Sequence, residues 1–529
     1  MRRLRTFLLS NFEPIWAVVQ KVPFLSRSIN RFIIDTAVTA SRNRPHPFST
    51  RSSYTSWASL TDRRYFGRHL AAPKRRDALP DKAEVVKLFE RPAEGGRVCP
   101  KSTLLFPVFA QYLTDGFLRT DMEARERTTS NHEIDLSPLY GRTAEQTDVL
   151  RQRDETPGRK GRLKSQELNG EEYPPYLYEE DGSTIRDCFR DSDGNAILDP
   201  LLGGDKIKGK GFERQIFAVG GDRANATPMV SMLNTLLLRE HNRLAGQLEK
   251  RNRGWDDEQV FQTARNILIA IYIKIVIEEY INHISSTCFK LTADPKVAWR
   301  ASWNRPNWMT VEFALLYRWH PLVPDRVAWA GESVPSEEMV LDNRYLTAAG
   351  LEAGFRYVSA EEAMALTLFN TPGFLREVEC RAIGQGRDLQ VDTYNSYRDA
   401  MSIPTVTSFD QMTGDPEKRE ALKRVYGTPD AVEFYTGLFA EDVNPNTPMP
   451  TLIGAMVALD AFSQALTNPL LSEHVFNETT FTAWGMEQIE TTHRLSDLVL
   501  RNVPTSDFPD RAEAIRMTRK DWRRSWVPF

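Results

Sequence analysis

The sequence predicts a predominantly α-helical protein. Residues 228–250 and 256–284 keep an apolar periodicity near that of a helix over a length no ordinary strand reaches. The second stretch (Q-V-F-Q-T-A-R-N-I-L-I-A-I-Y-I-K-I-V-I-E-E-Y) is apolar on most sides, so it must be enclosed in a core. Its many β-branched residues favour a strand by composition, but its length decides for helix. The third observation is that strand-like runs are few and no internal repeat occurs.

Taken in order, residues 11–42 interleave Ile15, Trp16, Val18, Val19, Val22, Phe24, Leu25, Ile29, Phe32 and Ile33 with Lys21, Arg27, Arg31 and Arg42. Pro23 splits them into two short basic amphipathic helices, the pattern of a segment lying in a membrane interface or of a helix pair docked on the body. Residues 42–57 are rich in Pro, Ser and Thr and read as a linker. This divides the chain into a basic amphipathic segment, 1–50, and one large catalytic domain, 51–529. An apolar helix is expected at 102–118, and the polar stretch 152–212, broken by Gly, Asp and Lys, reads as surface elaboration. Helical patterns recur at 360–368, 414–425, 450–466 and 508–519.

Charge excludes some partners. The 529 residues carry 68 basic and 71 acidic side chains, a net charge of -3, so no global field argues for nucleic acid. Cys99, Cys188, Cys288 and Cys380 are widely spaced without a C-x-x-C pair, which argues against a disulfide framework or a structural zinc site and for a reducing, cytoplasmic setting. The start is too short and interrupted in its apolar run for a signal peptide, and no 18-residue apolar segment stands out as a membrane span.

Chemistry concentrates at 312–325, E-F-A-L-L-Y-R-W-H-P-L-V-P-D. On a helix, Tyr317 and His320 share a face three residues apart. A histidine ligand with a redox-active tyrosine one turn away suits haem and radical chemistry, although an aromatic-His pair before a proline is also how a core helix ends.

Four segments, F-A-Q-Y-L-T-D-G-F-L-R-T (109–120), G-D-R-A-N-A-T-P (221–228), L-L-L-R-E-H-N-R-L-A (236–245) and L-Y-R-W-H-P-L-V-P-D (316–325), occur in the order found in animal-type haem peroxidases, which the chain resembles. With F-Q-T-A-R-N-I-L-I-A-I-Y-I-K-I-V-I-E-E-Y (261–280), T-S-F-D-Q-M-T-G (407–414) and V-E-F-Y-T-G-L (432–438), it looks most like the cyclooxygenase and fatty-acid dioxygenase branch, without its growth-factor-like module. The resemblance implies an all-α fold with haem b between core helices and a fatty acid and O2 as substrates; a homodimer is left open, as is the peripheral membrane association that the basic amphipathic segment suggests. His320 matches the proximal haem ligand and Tyr317 the tyrosine whose radical takes hydrogen from a fatty acid. Tyr280 matches a tyrosine bonded to that radical site, Tyr435 one beside the proximal histidine, and Arg68 the channel-mouth arginine that pairs with the substrate carboxylate.

The sequence departs from the pattern in several places. Arg318 stands where cyclooxygenases carry His, Thr287 where Arg68 would have a tyrosine companion, and Ser463 and Leu459 only loosely fit the channel motif. Gln111 and Arg223 match distal residues, but Asp115 occupies the distal histidine position. An ordinary carboxyl titrates near ~3.9, so Asp115 is expected to be ionised, paired with Arg223, and a poor acid-base catalyst. Gly116 replaces a calcium ligand, although Asp135 and Ser137 resemble the other calcium loop, so calcium is not expected. His241 reads as structural, among Arg239, Glu240 and Arg243. The reading is a tyrosyl-radical fatty-acid oxygenase with weak peroxidase activity. A peroxidase acting on small reductants, or a haem-retaining binding or sensor protein, remains as an alternative.

Overall fold

The computed structural model describes residues 2–40, 56–73, 78–206, 209–503 and 510–527. Its centre is the pair of long helices expected from the sequence. Pro228–Arg251 begins where the Thr227 side chain accepts a hydrogen bond from the Val230 amide and Pro228 takes a first-turn position that needs no amide hydrogen. Asp256 caps the next helix, Asp257–Ile275, through the Gln259 amide. That helix runs on through a π turn, Val276–Ile281, into Asn282–Ile284. By length and composition these 28 residues could cross a membrane, contrary to the sequence reading, yet 83% of the most apolar window is buried within the protein. Burial on all sides explains the lack of a polar face.

The few strands among the described residues form three two-stranded antiparallel ladders. One corrects the helix expected at 360–368: the helix Leu351–Ala360 ends at Glu361, and Glu362–Met364 pairs with Val98–Thr103. That pairing buries Ala363 and Met364 against neighbours distant in sequence, a tertiary gain that overrides local propensity. The helix expected at 508–519 shrinks to Arg511–Ala514, because Met517 and Thr518 lie extended against Thr103 and Ser102. Helices Pro416–Tyr426 and Thr451–Leu466 match expectation closely. Residues 102–118 split into the end of a strand and the helix Leu105–Phe117.

The N-terminal segment forms three helices, Arg2–Ser10, Glu13–Gln20 and Pro23–Val38. One face docks: Ile34 and Val38 are buried, Asn30 exchanges hydrogen bonds with the Thr292 backbone at 3.0 and 3.1 Å, and Asp35 accepts from Trp303 Nε1. The other face leaves Ile15, Val18, Phe24 and Phe32 exposed, Phe24 by 77%. Of the linker reading at 42–57, residues 42–55 lie outside the described residues.

Candidate active site

Thr310 caps the short helix Val311–Leu316 through the Phe313 amide. The helix then stops, so Tyr317 and His320 do not share the helical face on which the sequence reading paired them. Pro321 disfavours helical geometry at His320, Tyr317 already departs at φ -95°, ψ 20°, and His320–Leu322 forms a separate 3-10 turn. Trp319 Nε1 donates to the Leu316 carbonyl at 2.8 Å, satisfying a helix-end acceptor. Tyr317 and His320 are therefore placed by a helix end and a turn. The Tyr317 ring stacks on Trp319 at 4.5 Å and meets Phe313 at 4.8 Å.

His320 is tied through one nitrogen. Its Nδ1 lies 3.1 Å from Oε1 of Glu379, on the helix Arg376–Asp388. Glu379 is 0% exposed and also accepts from Thr371 Oγ1 at 2.8 Å and from the Tyr435 hydroxyl at 2.5 Å. Burial, and then the Glu379 charge, push the Tyr435 phenol well above its ordinary range. Tyr435 is carried on Phe434–Ala440, which approaches Tyr394 closely because a Cβ on Gly437 would lie 2.4 Å from that ring. With Nδ1 donating, Nε2 carries the lone pair that a metal requires. This donor set fits a haem iron, the group the sequence resemblance implies.

Tyr317 is only 9% exposed, and burial raises its phenol above the usual value, as does the nearby Asp460 carboxylate. Tyr280, inside the π turn, offsets part of this through its own hydroxyl, although that hydroxyl has no partner at full hydrogen-bond geometry. The two phenols are neighbours held by packing, with Tyr280 wedged against Phe106 and Phe109 at 5.6 and 5.3 Å.

On Leu105–Phe117, the helix that packs Phe106 and Phe109 against Tyr280, Gln111 and Asp115 sit one turn apart. The structure corrects the expectation that Asp115 is an ordinary ionised carboxylate. Burial pushes its pKa up to about 7, outweighing the opposing pull of Arg223, and its Oδ2 has no hydrogen-bond partner. Arg223, in the turn before Pro228–Arg251, makes its ion pair with Asp222, at 3.8 Å. Arg318, noted in the sequence only as a departure, lies in the same electrostatic neighbourhood. Burial and the Arg223 charge pull its pKa down to about 10, while Tyr435, Glu379 and Asp115 push it back. Residues far apart in the sequence thus converge.

Arg68 does not join them. It is 0% exposed, and its guanidinium donates to the carbonyls of Leu70, Leu389 and Gln390 at 2.8, 2.5 and 2.8 Å. The channel-mouth expectation is corrected: these donors stitch the chain together in the core. Thr287 bonds to the Phe289 carbonyl at 2.9 Å, and Ser463 to that of Asp460 at 3.0 Å. His241 is structural but satisfied by Tyr140 and the Gly161 carbonyl, each at 2.9 Å, and burial pulls its pKa down to about 3. At the loop resembling a calcium site, Ser137 Oγ donates to the Gly116 carbonyl at 3.0 Å and Asp135 accepts the Ser137 amide.

Glu379 and Asp460 are the residues sequence reasoning missed. Neither sits in a motif, and only their three-dimensional proximity to His320 and Tyr317 marks them.

The chain is similar to known proteins over nearly its whole length. Bovine prostaglandin G/H synthase 2 is 30% identical over 520 residues, covering 95% of this chain and 81% of that protein. Rat prostaglandin G/H synthase 1 is 31% identical over 518 residues with the same coverage. Among solved structures, rice fatty acid alpha-dioxygenase superposes with a TM-score of 0.68 at 17% identity, covering 98% of this chain and 99% of that one. Peroxidase A of Dictyostelium discoideum gives 0.67 at 17%, covering 90% and 100%. The family model described as animal haem peroxidase matches residues 109–512, and with most of the chain inside that match, the protein belongs to this family.

Proposed function

We propose that the protein is a fatty-acid oxygenase that binds haem b through His320 Nε2 and uses Tyr317 as the hydrogen-abstracting group. One observation carries the reading: Tyr317 is a buried phenol stacked on Trp319, next to a histidine whose other nitrogen is tied to a carboxylate. When bound, haem supplies the oxidising chemistry that turns a phenol into a radical. Tyr317 then takes a hydrogen atom from an activated carbon of the fatty acid, becoming a phenol again. O2 adds to the carbon radical, and the peroxyl radical recovers a hydrogen atom from Tyr317, giving a hydroperoxide and restoring the tyrosyl radical. Trp319 and Phe313 confine the ring, and Tyr280 stands beside its hydroxyl. Arg223 and Arg318 are the cations suited to the haem carboxylates.

A second reading, peroxidase activity towards small phenols, draws support from Asp115. A carboxyl titrating near neutrality can take a proton from a peroxide and return it to the leaving oxygen, which an ordinary Asp does poorly. Peripheral membrane binding is part of the proposal, since the exposed apolar face of Glu13–Gln20 and Pro23–Val38 suits an interfacial bilayer. Oxygen uptake with linoleate, oleate and arachidonate, with product mass spectrometry and a parallel phenol-oxidation assay, tests the reading. Fatty-acid-dependent uptake yielding hydroperoxides or endoperoxides is expected. Phenol oxidation without uptake would leave the peroxidase reading.

A further inference from the structure

We infer that Glu379 is a positioning residue that gives His320 anionic character through Nδ1, and that Tyr435 moderates this effect; the inference rests on haem binding at His320. Three donors converge on the two Glu379 oxygens: His320 Nδ1 at 3.1 Å and Thr371 Oγ1 at 2.8 Å on Oε1, and the Tyr435 hydroxyl at 2.5 Å on Oε2. The carboxyl oxygens are thus placed to accept from all three groups. Glu379 is fully buried, so no water competes for its lone pairs, and its charge acts at low dielectric.

The consequence runs through the imidazole. A carboxylate accepting the Nδ1 proton draws that proton away, fixes the tautomer and ring orientation, and makes Nε2 a stronger electron donor. Stronger donation favours ferric over ferrous iron. Tyr435 works in the opposite direction, because its hydrogen bond to Oε2 spreads the carboxylate charge and leaves less for His320. The geometry therefore assigns opposite signs to two residues touching the same carboxylate. A merely structural Glu379 would give no such pair of signs.

The test is spectroelectrochemical titration of the purified, full-length, haem-loaded protein. Glu379→Gln keeps the shape but removes the charge, and should shift the Fe(III)/Fe(II) equilibrium towards ferrous by tenfold or more, a rise of about 59 mV for one electron. Tyr435→Phe should lower the potential, and the ferrous iron-histidine stretch in resonance Raman should weaken with Glu379→Gln and strengthen with Tyr435→Phe. Unchanged potentials, or shifts of the same sign, would overturn the inference. If Glu379→Gln does not retain haem, Tyr435→Phe decides alone: a fall supports the inference, while no change or a rise overturns it. Wild-type protein that takes up no haem would instead overturn the proposed function itself.

Discussion

His69 Nε2 stands 3.0 Å from Asp460 Oδ2, with both side chains 3% exposed, and the Asp460 charge reaches Tyr317. Burial pulls the His69 pKa down, but the charge and hydrogen bond of Asp460, aided by Glu312, win and raise it above 6.5. The folded state therefore holds a proton more tightly than the unfolded chain. This contribution to stability is complete below the unfolded pKa near 6.5 and is lost as pH rises through the raised folded value. Removing one partner of a buried pair costs roughly 3–5 kcal/mol. Asp460→Asn should destabilise by about that much at pH 6 and by less at pH 9, read by urea denaturation. A penalty that does not shrink with pH would refute the ion pair.

Asp115 couples to pH with the same sign, but as a penalty incurred rather than a gain lost. Because its folded pKa is raised from 3.8 to about 7, the folded state loses stability as pH climbs through that interval. Asp115→Asn should make the protein more stable at pH 8, by roughly 1–4 kcal/mol. The same variant should slow reaction with hydroperoxide by about 10²–10⁴-fold, the usual range for a general acid-base group. Stopped-flow rates for wild type should rise with pH to a plateau through about 7. A pH-independent rate would remove Asp115 from the chemistry.

Tyr317 and His320 should fail in different ways. Tyr317→Phe should keep the haem absorbance and lose fatty-acid oxygenation, because the ring still packs on Trp319 and Phe313 but has no hydroxyl to exchange hydrogen. His320→Ala should lose the Soret band. Normal oxygen uptake by Tyr317→Phe would rule out the radical mechanism.

The N-terminal helices can be tested without removing their docked face. Replacing Ile15, Phe24 and Phe32 by Ser changes only exposed side chains, so melting temperature should hold. Each large apolar side chain contributes about 1.5–3 kcal/mol when buried, so sedimentation with anionic vesicles should fall more than tenfold. Unchanged sedimentation would sink the interfacial role.

Which residues the sequence could reveal follows from the range of the forces that place them. Tyr317 and His320 are neighbours in one short motif, so the sequence pairs them whether the chain there is a helix or, as found, a helix end and a turn. Glu379 was not legible: it lies 59 residues from His320 in a charged helix, where R-E-V-E-C-R reads as solvated surface. Arg68 misled for the same reason, since its carbonyl acceptors on Leu389 and Gln390 are 321 and 322 residues away. The Asp115 carboxyl was identified by position, but its pKa depends on burial by the folded chain. The long helices were plain from periodicity, whereas Glu362–Met364 became a strand only because Val98–Thr103 was there to pair with it.

The π turn Val276–Ile281 sets how many residues this part of the chain must have. Widening one turn by a residue offsets everything beyond it by about 100° from a regular α-helix. Beyond it, Asn282 exchanges hydrogen bonds with the Leu291 backbone at 2.8 and 2.9 Å, and His283 bridges Ser102 and Thr518 at 2.8 Å each. Before it, Tyr272 is packed between Phe109 and Tyr112. The two anchor sets are out of phase by one residue, and the turn absorbs the difference. A single-residue deletion here would yield a more regular helix and a worse protein, swinging either Tyr280 from Tyr317 or His283 from its two hydroxyls, whereas a conservative substitution at the same place would do neither.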